Sequence, residues 1–168
     1  METSIPALLI AAIMMITSVV MARSGFSSVD RLGQSWQAME QRLEERVRTQ
    51  LTAVSAHVDE SHTNITLQLR NDGQTPVADF ARMDVVVQYF SESGMRYANW
   101  VPYTSGALQS NTWTVASILN DHVNPGVLDP EEILQIQIRV NPPMGTGTNG
   151  WIIVSTENGV TVSAAVTG

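Results

Sequence analysis

Four stretches of this chain bring residues that could do chemistry into short range of one another. His57, Asp59 and His62 carry zinc-type donors, and on a strand His57 and Asp59 would share one face. His62 falls at a turn and no fourth ligand accompanies the set, so exposed polar strand residues account for it better. Asn120, Asp121, Asn124, Asp129, Glu131 and Glu132 form an oxygen-rich loop of the kind that suits calcium. It lacks the carboxylates one residue apart and the central glycine of a hand-type loop. Gly145-Thr146-Gly147-Thr148-Asn149-Gly150 matches a dinucleotide-binding pattern letter for letter. That pattern works where it joins a strand to a helix whose N-terminus holds the pyrophosphate. Here Trp151-Ile152-Ile153-Val154 follows and reads as a strand, which leaves a flexible hairpin loop. Asn64-Ile65-Thr66 is an N-glycosylation acceptor pattern at the start of a strand after a polar turn, where a sugar can project without being buried. Asn71, Asn111, Asn120 and Asn149 do not fit that pattern.

No serine or histidine has a base or oxyanion partner within reach of the sequence argument, and the chain contains no cysteine. The expectation is therefore a protein that is not an enzyme, with no catalytic residue, cofactor or metal, and with Asn64 as its one candidate modification site. All nine basic residues are arginine. Charge is distributed unevenly: the first 58 residues balance acids against arginines, so the net charge of −7 belongs to the remainder. An acidic domain without a basic patch repels nucleic acid, which is excluded as a partner.

The elements that carry these residues begin with an apolar run from Ile5 to Ala22, free of charge and interrupted by Pro6, Thr17 and Ser18. About 20 residues span a bilayer core, so this run sits at the lower limit for a membrane helix. Pro6 falls in the first turn, where its missing N–H costs no intrahelical bond. A signal peptide would need a basic start and a small-residue cleavage site, and Met1, Glu2, Thr3 and Ser4 supply no positive charge. Arg23 and Arg31 follow the run, so the positive-inside rule would leave the C-terminal part in the cytoplasm. A basic leader ahead of Met1, since removed, would reverse this, and such a flank is expected. Beyond the run, Phe26, Val29, Leu32, Trp36, Met39, Leu43, Val47 and Leu51 recur at gaps of 3 or 4, the helical period. Glu44 and Arg48 lie on another face at i,i+4. Ser27 and Asp30 offer a capping pattern just after Gly25, which predicts a bend there.

From Leu51 the period changes from 3.6 to 2. Val54, Ala56 and Val58 alternate with polar residues, as do Ile65, Leu67 and Leu69, predicting a hairpin closed around Ser61 to Asn64. Further strands are expected at 84–91, 96–103, 112–118, 133–140, 151–157 and 160–167. Asn71-Asp72-Gly73, Glu92-Ser93-Gly94 and Asn158-Gly159 supply turn chemistry, the last as a two-residue hairpin with positive φ at both positions. About eight short strands with no helix between them argue for a two-sheet antiparallel sandwich. The fold class is thus α+β: a long N-terminal hydrophobic α-helix, residues 1–51, followed by an immunoglobulin-like antiparallel β-sandwich, residues 52–168.

An apolar N-terminal helix without a preceding positive charge, running on as an amphipathic helix into an all-β domain, resembles the archaellin and archaeal-type pilin group. The stretch Leu69-Arg70-Asn71-Asp72-Gly73-Gln74-Thr75-Pro76-Val77-Ala78-Asp79-Phe80 and the strand Met83-Asp84-Val85-Val86-Val87 are similar to the early strands of archaellum proteins. Asn124-Pro125-Gly126-Val127-Leu128-Asp129-Pro130-Glu131-Glu132 resembles the proline-and-acid loop before a late strand of the same group. Bacterial-type pilins carry glutamate at the fifth mature position, where this chain has Ile5, so the resemblance favours archaellin. It implies a structural subunit of an archaellum-like helical swimming filament, with the helix in the filament core and the sandwich outside. The polymerisation helix would use Ile5, Leu8, Leu9, Ile10, Ile13, Met14, Ile16, Val19, Val20, Phe26, Val29, Leu32 and Trp36. Implied partners are many copies of the chain itself, the membrane before assembly, and an export and assembly machinery with a leader peptidase. The implied location is an extracellular filament at the cell surface, reached from a membrane-inserted precursor. Two alternatives stand beside it: an archaeal-type adhesion pilin, and a membrane-anchored stator component that grips a surface-layer protein.

Overall fold

Ile65, Leu67 and Leu69 on one strand and Leu134, Ile136 and Ile138 on another alternate with polar residues, and all six are fully buried. That alternation puts one face of each strand into a shared core and the other into solvent. The computed structural model describes residues 9, 10, 12–18, 21, 36, 37, 39, 40, 43, 44 and 46–168. Eight strands are present among them: β1 (Leu51–Val58), β2 (Asn64–Asn71), β3 (Asp84–Phe90), β4 (Arg96–Val101), β5 (Thr112–Leu119), β6 (Ile133–Arg139), β7 (Asn149–Ser155) and β8 (Thr161–Thr167). A short 3-10 turn, Phe80–Arg82, precedes β3. They form two antiparallel four-stranded sheets, ordered β1-β2-β6-β5 and β4-β3-β7-β8.

The inner faces of the two sheets meet around Trp113, Tyr89, Met144, Ile152, Val85 and Leu128, each almost wholly removed from water. Burying one such side chain contributes roughly 1.5 to 3 kcal/mol, so the sandwich holds itself together without disulfides. Trp113 meets Tyr103 edge-on at 4.9 Å, and Tyr89 stacks on Tyr97 at 5.5 Å. The Tyr89 hydroxyl donates to the Pro142 carbonyl at 2.8 Å, anchoring the β6–β7 connection to the second sheet.

The strand positions follow the alternation, with two corrections. Val54 does not share a face with Ala56 and Val58: the register of β1 against β2 shifts between Ala53 and Ser55, and Val54 is exposed there. An extra residue in one strand forms a bulge and frees the inserted side chain from the pleat. Asn158-Gly159 is not a two-residue turn with positive φ throughout, since of the two only Gly159 has it, at 81°. The Gly159 N–H donates to the Thr156 carbonyl, while the Thr156 N–H donates to the Val160 carbonyl. This is the longer hairpin loop that ends in a left-handed glycine.

The chain divides into two units, Met1–Leu43 and Glu44–Gly168. Leu51 opens β1 and is buried in the sandwich core. The described residues from 9 to 48 are helical. Glu44 and Arg48 pair at 3.7 Å, both exposed. The expected continuous helix and its membrane-length run fall partly outside the described residues, among which no helix is long and apolar enough to cross a membrane. The bend expected at Gly25 also lies outside them, as do Ile5, Leu8, Val19, Val20, Phe26, Val29 and Leu32.

Candidate functional site: the entry of the chain into the sandwich

Arg48, Thr49 and Gln50 carry the chain from its helical part into β1, and three hydrogen bonds from the segment after β2 hold them. The N–H groups of Asp72 and Gly73 both donate to the Gln50 carbonyl, at 2.8 and 3.1 Å, and the Gln74 N–H donates to the Arg48 carbonyl at 2.7 Å. Gly73 is required by proximity: a Cβ there would lie 2.5 Å from both the Arg48 oxygen and the Gln50 nitrogen. From the other side, Asn158 Nδ2 donates to Thr49 Oγ1 at 2.7 Å. Asn158 is the residue that the short-turn expectation had assigned to turn geometry alone.

Asn71, fully buried, organises this entry. Its Nδ2 donates to the Thr75 and Leu128 carbonyls, and its Oδ1 accepts the Gly73 N–H. Its backbone pairs with the far loop, donating to the Glu132 carbonyl and accepting from the Glu131 N–H. A buried amide satisfied at each end is stabilising, whereas leaving its partners unpaired costs about 1 to 3 kcal/mol. Val77 and Leu128 complete the contact by a two-way backbone bridge. The two stretches that carried the family resemblance, 69–80 and 124–132, thus form one structure around the chain entry.

Asp121, Asp129 and Glu132 of the 120–132 loop accept bonds from the loop itself, although Asp121 Oδ1 is buried without a hydrogen-bond partner among the described residues. Asp129 accepts from the Asn124 N–H and Nδ2, Glu132 from the N–H groups of His122 and Asp129, and Asp121 from the Gly126 N–H. Among the described residues no group of acidic and histidine side chains is arranged to hold a metal ion. At the other end, Asp59 closes the β1–β2 turn. It accepts the N–H groups of Thr63 and Asn64, the Ser61 hydroxyl and Asn64 Nδ2. Partial burial pushes its carboxyl up, but the bonds from Asn64, Ser61 and Thr63 together outweigh this and hold it down at about 2. His57 is exposed on the outer face beside Thr66, so the three residues weighed for zinc do not form a site.

The acceptor amide of Asn64 is occupied at both ends: Nδ2 donates to Asp59 at 2.6 Å and Oδ1 accepts from Arg139 Nε at 2.9 Å. Gly145 to Gly150 closes the β6–β7 connection and runs into β7, which begins at Asn149, and no helix follows it. In the first unit, Trp36, Met39, Glu40 and Leu43 line a groove of about 330 Å³. Leu9, Ile10, Ile13, Met14 and Ile16 are exposed, and Trp36 is 70 % exposed.

The described residues make a two-sheet antiparallel sandwich preceded by helical residues with exposed apolar side chains. The family model of archaeal-type flagellin matches residues 5–166, and the chain belongs to this family. An uncharacterized protein of Archaeoglobus fulgidus is 25% identical over 161 residues, covering 92% of each chain. The archaellum periplasmic stator protein FlaG from Sulfolobus acidocaldarius is 26% identical, with a TM-score of 0.53 over 70% of this chain and 98% of that one. The FlaF and FlaG stator complex of the same organism gives 0.52 at 26% identity, over 70% and 88%. The archaeal flagellum of Methanospirillum hungatei strain JF1 matches 99% of this chain and 91% of its own, with a TM-score of 0.51 and 13% identity, a likeness of fold. The three solved structures are of archaellum components.

Proposed function

We propose that this chain is a non-enzymatic component of an archaellum-like motility apparatus that works at the cell surface as a stator-type protein. In this reading the apolar N-terminal segment holds it in the envelope and the sandwich makes the working contacts. The observation that carries the reading is the 26% identity with the stator protein FlaG, which extends over 98% of that chain. The entry site suits such a role, because a load on the N-terminal segment passes to both sheets through the bonds around Asn71, Gly73 and Asn158. We also read the sandwich as immunoglobulin-like: its sheets correspond in strand order to the four-stranded and three-stranded sheets of that fold, with one strand added beside β3.

The second reading is a filament subunit polymerising through the N-terminal helix, with residues 1–51 inside and 52–168 outside. Two observations favour it: the flagellin family match begins at residue 5, and the fold likeness to the archaeal flagellum takes in 99% of the chain. Deleting the gene separates the readings. The stator reading predicts cells that assemble filaments but do not swim; loss of the filaments themselves contradicts it and supports the filament reading. Leu9→Asp places a charge in the apolar segment at a cost of about 2.5 to 3.5 kcal/mol on insertion scales. It is expected to release the chain from the envelope in the first reading and to abolish filaments in the second.

Asn64 remains the proposed glycan site. A glycosylated amide keeps one N–H, enough for the bond to Asp59. The intact mass of the native protein checks occupancy: an excess that disappears in Asn64→Gln is expected, and the mass of the bare polypeptide contradicts it.

A further inference from the structure

The two outer faces of the sandwich differ in kind. On the β1-β2-β6-β5 sheet the outer face is polar, with Ser55, Gln68 and Gln135 linked across three strands by side-chain hydrogen bonds. The outer face of the β4-β3-β7-β8 sheet carries an apolar patch on β4, β3 and β7, while Thr161, Ser163 and Thr167 keep its β8 edge polar. Trp100 pairs with Val86, which pairs with Ile153, and in the next row Ala98 pairs with Gln88, which pairs with Trp151. Phe90 extends the patch along β3. Trp100 is 61 % exposed, Trp151 53 % and Phe90 43 %, so nothing in the described chain covers them. Outward tryptophans on an antiparallel sheet invert the usual arrangement of apolar inside and polar outside.

Charge on this face selects the occupant. The sandwich from residue 59 onward carries eleven acids and four arginines, so most approaches of one copy to another are repulsive. On the strands of this face the charged residues are Asp84 at one end and Arg96 at the other. Asp84 accepts from Trp100 Nε1 at 3.0 Å, and Arg96 donates to Gln88 at 3.1 Å, which orders both charges on the sheet surface. A twofold axis between two such faces, running across the strands, reverses strand direction and sets β3 over β3 and β4 over β4. The Asp84 end then meets the Arg96 end of the second copy. Trp100 falls over the small Ala98 of that copy, and Trp151 over its Ile153. Phe90 then lies over Asp84 of that copy with Arg96 on the neighbouring strand, so the face matches itself in charge end to end and in bulk along β4 and β7, as a twofold contact must.

We infer that the outer face of the β4-β3-β7-β8 sheet is a self-association surface on which a second copy of this chain docks face to face. Sheets stacked in this way lie about 10 Å apart. Because the chain contains no cysteine, one introduced thiol reports the contact. The full-length protein in mild detergent, with Ala98→Cys, should cross-link to a dimer with a bismaleimide spanning about 10 Å. Gln137→Cys, on the polar outer face, should not. Asp84→Arg and Arg96→Asp should each abolish the Ala98→Cys dimer by opposing like charges, and the two together should restore it. Near-ultraviolet circular dichroism confirms that each exposed-site variant keeps its core. Equal cross-linking at both thiols, no dimer at Ala98→Cys, or a double reversal that fails to restore it would overturn the inference. So would a monomer whose tryptophan fluorescence responds only to envelope polysaccharide.

Discussion

Gly73 tolerates no side chain, because the backbone of Arg48 to Gln50 occupies the space a Cβ would need. Gly73→Ala must push that backbone away and weaken the bonds to the Gln50 and Arg48 carbonyls. Overpacking of this kind typically costs about 1 to 3 kcal/mol. Thermal unfolding should show a clear loss for Gly73→Ala; an unchanged midpoint would mean the entry segment is not tightly held. Asp59 gives a pH signature. Its carboxyl is held at about 2 in the folded chain against 3.8 ordinarily, so the unfolded state takes up the proton first. The stabilisation is complete above the ordinary value and is lost as pH falls through it toward about 2. Asp59→Ala should therefore be less stable near neutrality and show a shallower acid limb, as measured by urea midpoints across that range. Parallel acid limbs would contradict the assignment. Neither residue's role was visible in the sequence. Asp59 read as one of a possible ligand set and Gly73 as a turn former, because the partners that define them come from the fold.

At the scale of elements the strands were legible because alternation is local. Ile65, Leu67 and Leu69 announce an inner face without knowledge of what they meet. The β1 bulge was not legible: Val54 fits an alternating pattern as well as Ala53 does, and only pairing with β2 decides between them. The β7–β8 turn was misread for a related reason, since the sequence cannot show that the Asn158 amide reaches Thr49 across the domain. Asn71 shows the limit most clearly. A buried asparagine bonded to Leu128, 57 residues away, has no local signature, although the resemblance of both segments to one family pointed to them separately. Tyr89 ties β3 to the β6–β7 connection and carries a test of its own. Burial, with the neighbouring Tyr97 adding to it, pushes its phenol up to about 12 from 10.0. The unfolded chain then loses its proton first, so stability falls as pH rises beyond the ordinary phenol value. Tyr89→Phe removes the bond to Pro142, worth about 0.5 to 1.5 kcal/mol, and removes this alkaline loss with it. Unfolding midpoints compared between neutral and strongly alkaline buffer should drop less for the variant; an equal drop would place the titration elsewhere.

For the whole molecule, the sandwich supplies a rigid body whose entry is tied to both sheets, while the N-terminal unit supplies exposed apolar surface. Family membership sets this pair within archaella, and the identity with a stator protein turns the proposal toward the envelope rather than the filament shaft. The stator and filament readings place the same chain in different material, so location is the most direct test. Cells carrying a C-terminally tagged chain can be sheared, and the filaments separated from the envelopes and probed for the tag. The account predicts the chain in the envelope fraction, at trace level in purified filaments. A chain that copurifies with the filaments as a major component would contradict it.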